Sequence, residues 1–320
     1  MRWLITGGAG MLATDVAYRL AVAREPVLVL DRAGLDLLDA RAVRDLVGAY
    51  RPRVVVNCAA WTAVDAAEAC EEEALAINGH AVGTLADACT RAGARLLHLS
   101  TDYVFDGRGR EPYREDGPTG PLNAYGRTKR AGEVAALREG HYVIRSAWLY
   151  GAHGRNFVAT MAGLAAGHDT VDVVDDQRGQ PTWTADLAGL LVRLGHSDLP
   201  PGIYHGTSSG ETTWYGFARE IFRLVGADPG RVRPISSADF PSAAARPANS
   251  VLAHTRCEPL RDWREALRAA WPVLGLEGGR QCSPRRAASS TSTTASADPA
   301  PASTPCASPA TGTSGRRRPG

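Results

Sequence analysis

Apolar residues fall along this chain in short runs of strand length, separated by longer stretches in which they recur at helical spacing. The runs are Trp3-Leu4-Ile5, Pro26-Val27-Leu28-Val29-Leu30-Asp31, Val54-Val55-Val56-Asn57-Cys58-Ala59-Ala60, Arg95 to Phe105, and Tyr142-Val143-Ile144-Arg145. Rich in Val, Ile and Leu, they read as parallel strands buried on both faces. Between them, Asp15 to Ala23, Val64 to Cys70 and Glu71 to Ala92 carry apolar side chains at helical period. Strand and helix in alternation predict an α/β fold: a Rossmann-type, doubly wound parallel sheet that takes its ligand at the carboxyl ends of the strands.

Beyond Trp148 the regularity loosens. Turn-rich stretches such as 175–182 stand between helical ones (Ala185 to Leu194, Trp214 to Val225, Asp262 to Ala270). They predict a smaller lobe on the substrate side, residues 149–274, interleaved with a dinucleotide-binding domain of residues 1–148. Residues 106–122 are rich in Gly, Pro and charge, a loop long enough to be functional. From 277 to 320 the chain is dominated by Ser, Thr, Ala, Pro, Gly and Arg. Such a composition cannot bury enough apolar surface to offset ordering entropy, so 275–320 is expected to be a disordered tail without a catalytic role.

The first strand runs into Gly7-Gly8-Ala9-Gly10-Met11-Leu12-Ala13 where the first helix begins. Glycines at such a turn let backbone approach a pyrophosphate while the helix N-terminus supplies N–H donors. Gly7, Gly10, Met11 and Leu12 are therefore candidate cofactor residues. Asp31 ends the second strand about 20 residues further on, where a dinucleotide fold places the carboxylate that holds the adenosine ribose. It favours NADH, whereas the adjacent Arg32 would meet the 2′-phosphate of NADPH. Cofactor preference stays open, and a simple strand-end cap is the other reading of Asp31.

Charge narrows the function classes. The chain has 320 residues, 36 basic and 34 acidic, for a net charge of +2, so it presents no nucleic-acid surface. No run reaches the length of a membrane span, and the glycines after Ile5 interrupt any signal peptide. The 6 cysteines show no C-x-x-C spacing and predict neither a disulfide framework nor a protein-built metal site, in keeping with a cytoplasmic protein.

Lys129 is the sole lysine among those 36 basic residues. It stands four residues after Tyr125, in Asn123-Ala124-Tyr125-Gly126-Arg127-Thr128-Lys129. With 9 tyrosines in 320 positions, an accidental pairing at this spacing has a chance of roughly 3%. On a helix the two share one face, and the ammonium favours the phenolate, which makes Tyr125 a candidate general acid. Arginine is a permanently charged fork and cannot play that part beside a phenol and a ribose.

Taken together, these segments resemble the dTDP-4-dehydrorhamnose reductase family of extended short-chain dehydrogenases over about residues 1–274. The match rests on Gly7 to Leu12, Leu35-Asp36-Leu37-Leu38-Asp39, Asn57 to Asp65, Ser100 to Gly107, Pro121 to Lys129, Arg145 to Gly151, Asp176 to Thr182, and Arg246-Pro247-Ala248-Asn249-Ser250. The resemblance implies NAD(P)H-dependent reduction of the 4-keto group of a dTDP-sugar. Tyr125 would donate the proton, Lys129 would hold the nicotinamide ribose, and Thr101 would bond the keto oxygen, with Asp102 and Tyr103 beside it on the substrate. It places Asp36 and Leu37 beside the adenine, and Ala59, Ala60 and Thr62 along the pyrophosphate and ribose. Trp148 would pack on the sugar, and Arg246, Asn249 and Ser250 would line the nucleotide side. Bacterial members include magnesium-bridged homodimers, for which Asp15 and Asp186 would be the corresponding acids. Three alternatives share many of these features: a dihydrostreptose-forming reductase, a UDP-sugar epimerase, and a non-catalytic regulatory subunit. Intact Thr101, Tyr125 and Lys129 argue against the last.

Overall fold

The computed structural model describes residues 1–276 and the pair Thr293–Thr294. Strand and helix alternate through the first half as β1 (Trp3–Thr6), α1 (Met11–Val22), β2 (Val27–Leu30), α2 (Ala40–Tyr50), β3 (Val54–Asn57), α3 (Val64–Ala69), α4 (Glu71–Leu75), α5 (Ala81–Ala92), β4 (Arg95–Thr101), α6 (Ala124–Arg138) and β5 (Tyr142–Ser146). Then come β6 (Leu149–Tyr150), α7 (Phe157–Gly167), β7 (Val171–Val174), β8 (Arg178–Gly179), β9 (Thr182–Trp183), α8 (Thr184–His196), β10 (Gly202–His205), β11 (Ser208–Ser209), β12 (Thr212–Thr213), α9 (Trp214–Leu224), β13 (Val232–Ile235), β14 (Leu260–Asp262), α10 (Trp263–Ala270) and β15 (Thr293–Thr294).

Six strands form one parallel sheet in the order β2-β1-β3-β4-β5-β10. The order reverses between β1 and β3, and such a reversal opens a crevice at the carboxyl ends. Successive side chains of a strand point to opposite faces. Leu4, Val55, Leu96 and Val143 pack with α2 and α5, whereas Ile5, Val56, Leu97 and Ile144 pack with α1 and α8. Because both faces are covered, every strand position can be apolar. β10 and α8 come from beyond residue 148, so the second half of the chain completes the sheet. What remains of that half has its own core, including Phe157, Met161, Val171, Phe217, Ile221, Trp263 and Leu267.

Several boundaries differ from expectation. The helix expected over Glu71 to Ala92 is divided by a π-helical turn, Ala76–His80. Buried Asn78 sits in that turn, bonded to both backbone groups of Trp61 (2.9 and 3.1 Å) and to the Thr128 hydroxyl (3.1 Å). The strand expected to reach Phe105 stops at Thr101, whose hydroxyl accepts from the Tyr103 N–H (3.2 Å) and starts a 3-10 turn. The periodicity gave no sign of α7, because its sequence, Phe-Val-Ala-Thr-Met-Ala-Gly-Leu-Ala-Ala-Gly, has no polar face. The tail expectation lies outside the described residues, apart from its first two residues and Thr293–Thr294. That pair lies parallel to Val171 and Asp172 of β7. No helix among the described residues is long and apolar enough to cross a membrane.

Candidate active site

α6 starts where the long loop ends, and Asn123 fixes its first turn. Its Oδ1 accepts from the Gly126 N–H (2.8 Å) and its Nδ2 donates to the Ala245 carbonyl (2.9 Å). Tyr125, Lys129 and Glu133 then follow one turn apart along one helix face. Lys129 is 2% exposed, and its Nζ donates to the Leu99 carbonyl of β4 at 2.5 Å. Burial lowers its pKa to about 8, while the Glu133 carboxylate pulls the other way. The neighbouring Cys58 thiol is pushed up to about 12 by burial, so it stays neutral. Glu133 is therefore the anion that steadies the ammonium.

Glu133 is itself locked. It accepts from Arg145 Nε (2.8 Å), Arg145 Nη2 (2.9 Å) and the Ser100 hydroxyl (2.7 Å), in a cluster that is wholly buried. These partners lie on β4 and β5, next to Thr101 and Ser146, so one carboxylate sets helix against strands. Behind Lys129, burial and the ammonium charge hold the His98 pKa far below its ordinary value. His98 Nδ1 accepts from Asn57 Nδ2 (3.1 Å), which leaves the ring proton on Nε2.

Thr101 is also buried. Its hydroxyl donates to Asp102 Oδ1 (2.9 Å). Tyr103 meets Tyr125 edge to face, with ring centroids 6.1 Å apart. Thr101, Asp102, Tyr103, Tyr125 and Lys129 line one cleft of about 440 Å³ together with Gly10, Met11, Leu12, Ala60 and Thr62. Gly7 lies beneath it at φ 74°, where a Cβ would come within 2.5 Å of the Ala59 nitrogen. Gly10 caps α1 without a side-chain bond, so the first-turn N–H groups have no side-chain partner. A glycine cradle with open helix donors fits the diphosphate of a dinucleotide.

Trp148 forms the opposite wall. It holds φ 48°, a strained conformation for a bulky residue, and stacks on Trp214 with centroids 3.6 Å apart and planes 11° from parallel. A Cβ on Gly179 would fall 2.5 Å from the Trp148 ring, so that glycine makes room for the indole. A second chamber of about 420 Å³ shares Phe157 and Trp214 with the first and reaches Gln177, Phe240 and Arg246. Arg246 grips Asp65 at the start of α3 through two bonds (3.0 and 2.9 Å).

Other expected residues lie elsewhere. Asn249 and Ser250 are buried struts and line neither chamber: Asn249 Nδ2 donates to the Gly109 carbonyl (2.9 Å), and the Ser250 N–H to the Arg178 carbonyl (2.9 Å). The Leu37 side chain belongs to the core with Val43 and Val47. Asp31, Arg32 and Asp36 are exposed after β2, outside the cleft walls. Asp31 accepts from the Gly34 N–H (3.0 Å), and Arg32 lies 3.9 Å from Asp36. Magnesium is not supported. Among the described residues no three His, Cys, Asp or Glu are grouped to hold a metal; Asp15 faces His153 (3.8 Å) and Asp186 holds Arg261 (2.8 Å). Sequence reasoning missed Glu133, although it continues the four-residue spacing, and it missed Trp214, for which no local signal existed.

The family described as RmlD substrate binding domain matches residues 1–274. A dTDP-4-dehydrorhamnose reductase of Streptomyces griseus is 54% identical over 87% of this chain and 96% of its own length. A dTDP-4-keto-6-deoxy-D-glucose reductase of Streptomyces niveus is 49% identical over 86% and 98%. Among solved structures, the dTDP-4-dehydrorhamnose reductase of Bacillus anthracis in complex with NADP superposes with a TM-score of 0.82 at 34% identity, over 85% of this chain and 98% of that one. By these matches the chain belongs to the dTDP-4-dehydrorhamnose reductase family of oxidoreductases.

Proposed function

We propose that this protein reduces the 4-keto group of dTDP-4-dehydro-β-L-rhamnose to give dTDP-L-rhamnose, using NADPH or NADH. The observation that carries the reading is the meeting of Tyr125, Lys129 and Thr101 in the cleft that also contains the glycine cradle. The cofactor supplies the hydride when bound. Gly7, Gly10, Met11, Leu12, Ala60 and Thr62 hold it, and Lys129 holds its ribose. Thr101 donates to the keto oxygen, and Tyr125 gives its proton to the alkoxide as that oxygen gains charge. Trp148 and Trp214 wall the sugar and exclude water, and the chamber at Arg246 takes the nucleotide.

In this reading residues 1–148 carry the cofactor and 149–274 the substrate, and the protein works in the reducing cytoplasm. Support for the latter comes from Cys58, Cys70, Cys89 and Cys257, all free thiols. A homodimer belongs to the same reading, supported by Tyr18 and Val22, exposed one turn apart on α1. The 49% identity to the Streptomyces niveus reductase favours a second substrate, the unepimerised 4-keto-6-deoxy-D-glucose nucleotide. Each sugar nucleotide is incubated with NADPH or NADH, absorbance is followed at the nicotinamide band, and the product is identified by NMR. No oxidation of either cofactor with either sugar sinks the proposal.

A further inference from the structure

We propose that Arg155 is a diphosphate-binding residue of the cleft. It stands on the short loop between β6 and α7, lines the cleft beside Gly10 and Met11, and is exposed. Among the described residues its guanidinium has no ion pair or hydrogen bond, yet the backbone that carries it is firmly held. Buried Asn156 donates through Nδ2 to the carbonyls of Gly151 (2.8 Å) and Gly154 (3.3 Å), and the same nitrogen lies 3.8 Å from Met11 Sδ. Its Oδ1 accepts from the Ala159 N–H (3.1 Å) in the first turn of α7. A fixed base next to the start of α1 thus carries a guanidinium with no partner.

Charge in the two chambers leaves this group a task. Lys129 is committed to the Leu99 carbonyl, Glu133 and, in the proposed reaction, the nicotinamide ribose, and Arg246 is paired with Asp65. Arg155 is the remaining cation among the residues that line either chamber. The ligands of the proposed reaction, on which this inference rests, are a dinucleotide and a sugar nucleotide, and each carries a diphosphate. A guanidinium meets such a group with paired N–H donors, complementing the N–H groups of α1. The chemistry is shared, and the experiment separates the two sources.

Arg155→Ala and Arg155→Lys are compared with wild type by quenching of tryptophan fluorescence, which needs no turnover. The probes are NADPH and dTDP, with reduced nicotinamide mononucleotide and thymidine as counterparts that lack the diphosphate. Arg155→Ala should weaken one diphosphate ligand by about 10- to 100-fold, the range for losing a charge-assisted bond. Arg155→Lys should recover part of that, and the two counterparts should bind as before. A loss confined to NADPH assigns the cofactor diphosphate, and one confined to dTDP the substrate diphosphate. Unchanged affinity for both, or equal losses on the counterparts, overturns the inference, as does wild type binding neither diphosphate. Wild type that binds the probes but reduces no 4-keto sugar overturns the proposed reaction alone, and Arg155 is still judged by the binding ratios.

Discussion

Lys129 of α6 reaches across to the carbonyl oxygen of Leu99 on β4, 2.5 Å away, from a position with almost no contact with solvent. A compact ammonium fits there, and the wider planar guanidinium does not. Lys129→Arg keeps the charge but should lower turnover by roughly 10² or more, the scale of lost acid–base assistance. Tyr125→Phe should be as damaging and the double variant scarcely worse if the two act as one unit, as the proposed reaction requires. Near-normal turnover of Lys129→Arg on a 4-keto sugar would remove the basis for both roles.

The same lysine sets a pH limit. Its buried pKa of about 8 lies below its ordinary value, so the ammonium is lost as pH rises through about 8, and kcat/KM should fall there. Glu133 opposes that loss, so Glu133→Gln should move the fall to lower pH. The change also strands Arg145, which should cost about 3–5 kcal/mol of stability, and rates are therefore measured well below the melting point. Coincident pH profiles for variant and wild type would rule out Glu133 as the group that holds the charge.

Gly179→Ala places a methyl against the Trp148 ring. The indole must shift off Trp214, and the circular-dichroism couplet of the stacked pair should shrink. Misplacing this wall should lower kcat/KM for the sugar by about 10- to 100-fold and leave the KM for NADPH unchanged. An intact couplet with normal kinetics would show that Trp148 needs no such clearance.

His205 gives the fold an acid-sensitive point. Burial lowers its pKa to about 4, with Glu115 and the Ala253 carbonyl opposing, and Arg145 and His254 reinforcing. Its unfolded value is higher, so the unfolded chain binds more protons between about 6.5 and about 4. Stability must fall as pH drops through that window. His205→Asn should flatten the dependence of Tm on pH there without abolishing it, because His141 and His254 are shifted the same way. An unaltered slope would place the acid sensitivity elsewhere.

For cofactor choice, Asp31 is the residue to change. Asp31→Ala should move the ratio of kcat/KM values towards NADPH if the carboxylate meets the ribose. A constant ratio would leave Asp31 as the cap of the Gly34 turn.

The sheet was legible because burial on both faces writes itself as unbroken apolar runs, and the cleft because Gly7, Thr101, Tyr125 and Lys129 stand at strand and helix ends with fixed spacing. The second core was less so: α7 has no polar face, and short strands such as β8 and β12 carry almost no local pattern. Trp214 reaches Trp148 from 66 residues away, a contact that no window of sequence contains. Asn249 and Ser250 stand in a recognisable motif, and in the fold they tie backbone together at Gly109 and Arg178.

β10 joins the sheet only once residue 202 has been made. Until then a chain growing on the ribosome presents β5 as an open edge, with the backbone of Tyr142, Val143 and Ile144 unpaired on that side. Such edges recruit other strands. The covering helix α8 precedes β10 in sequence by only a short connection, so cover and last strand arrive nearly together. Nascent chains halted before Gly202 should therefore be sticky, whereas those released beyond His205 can close the sheet before the cleft wall at Trp214 and Phe217 has been made.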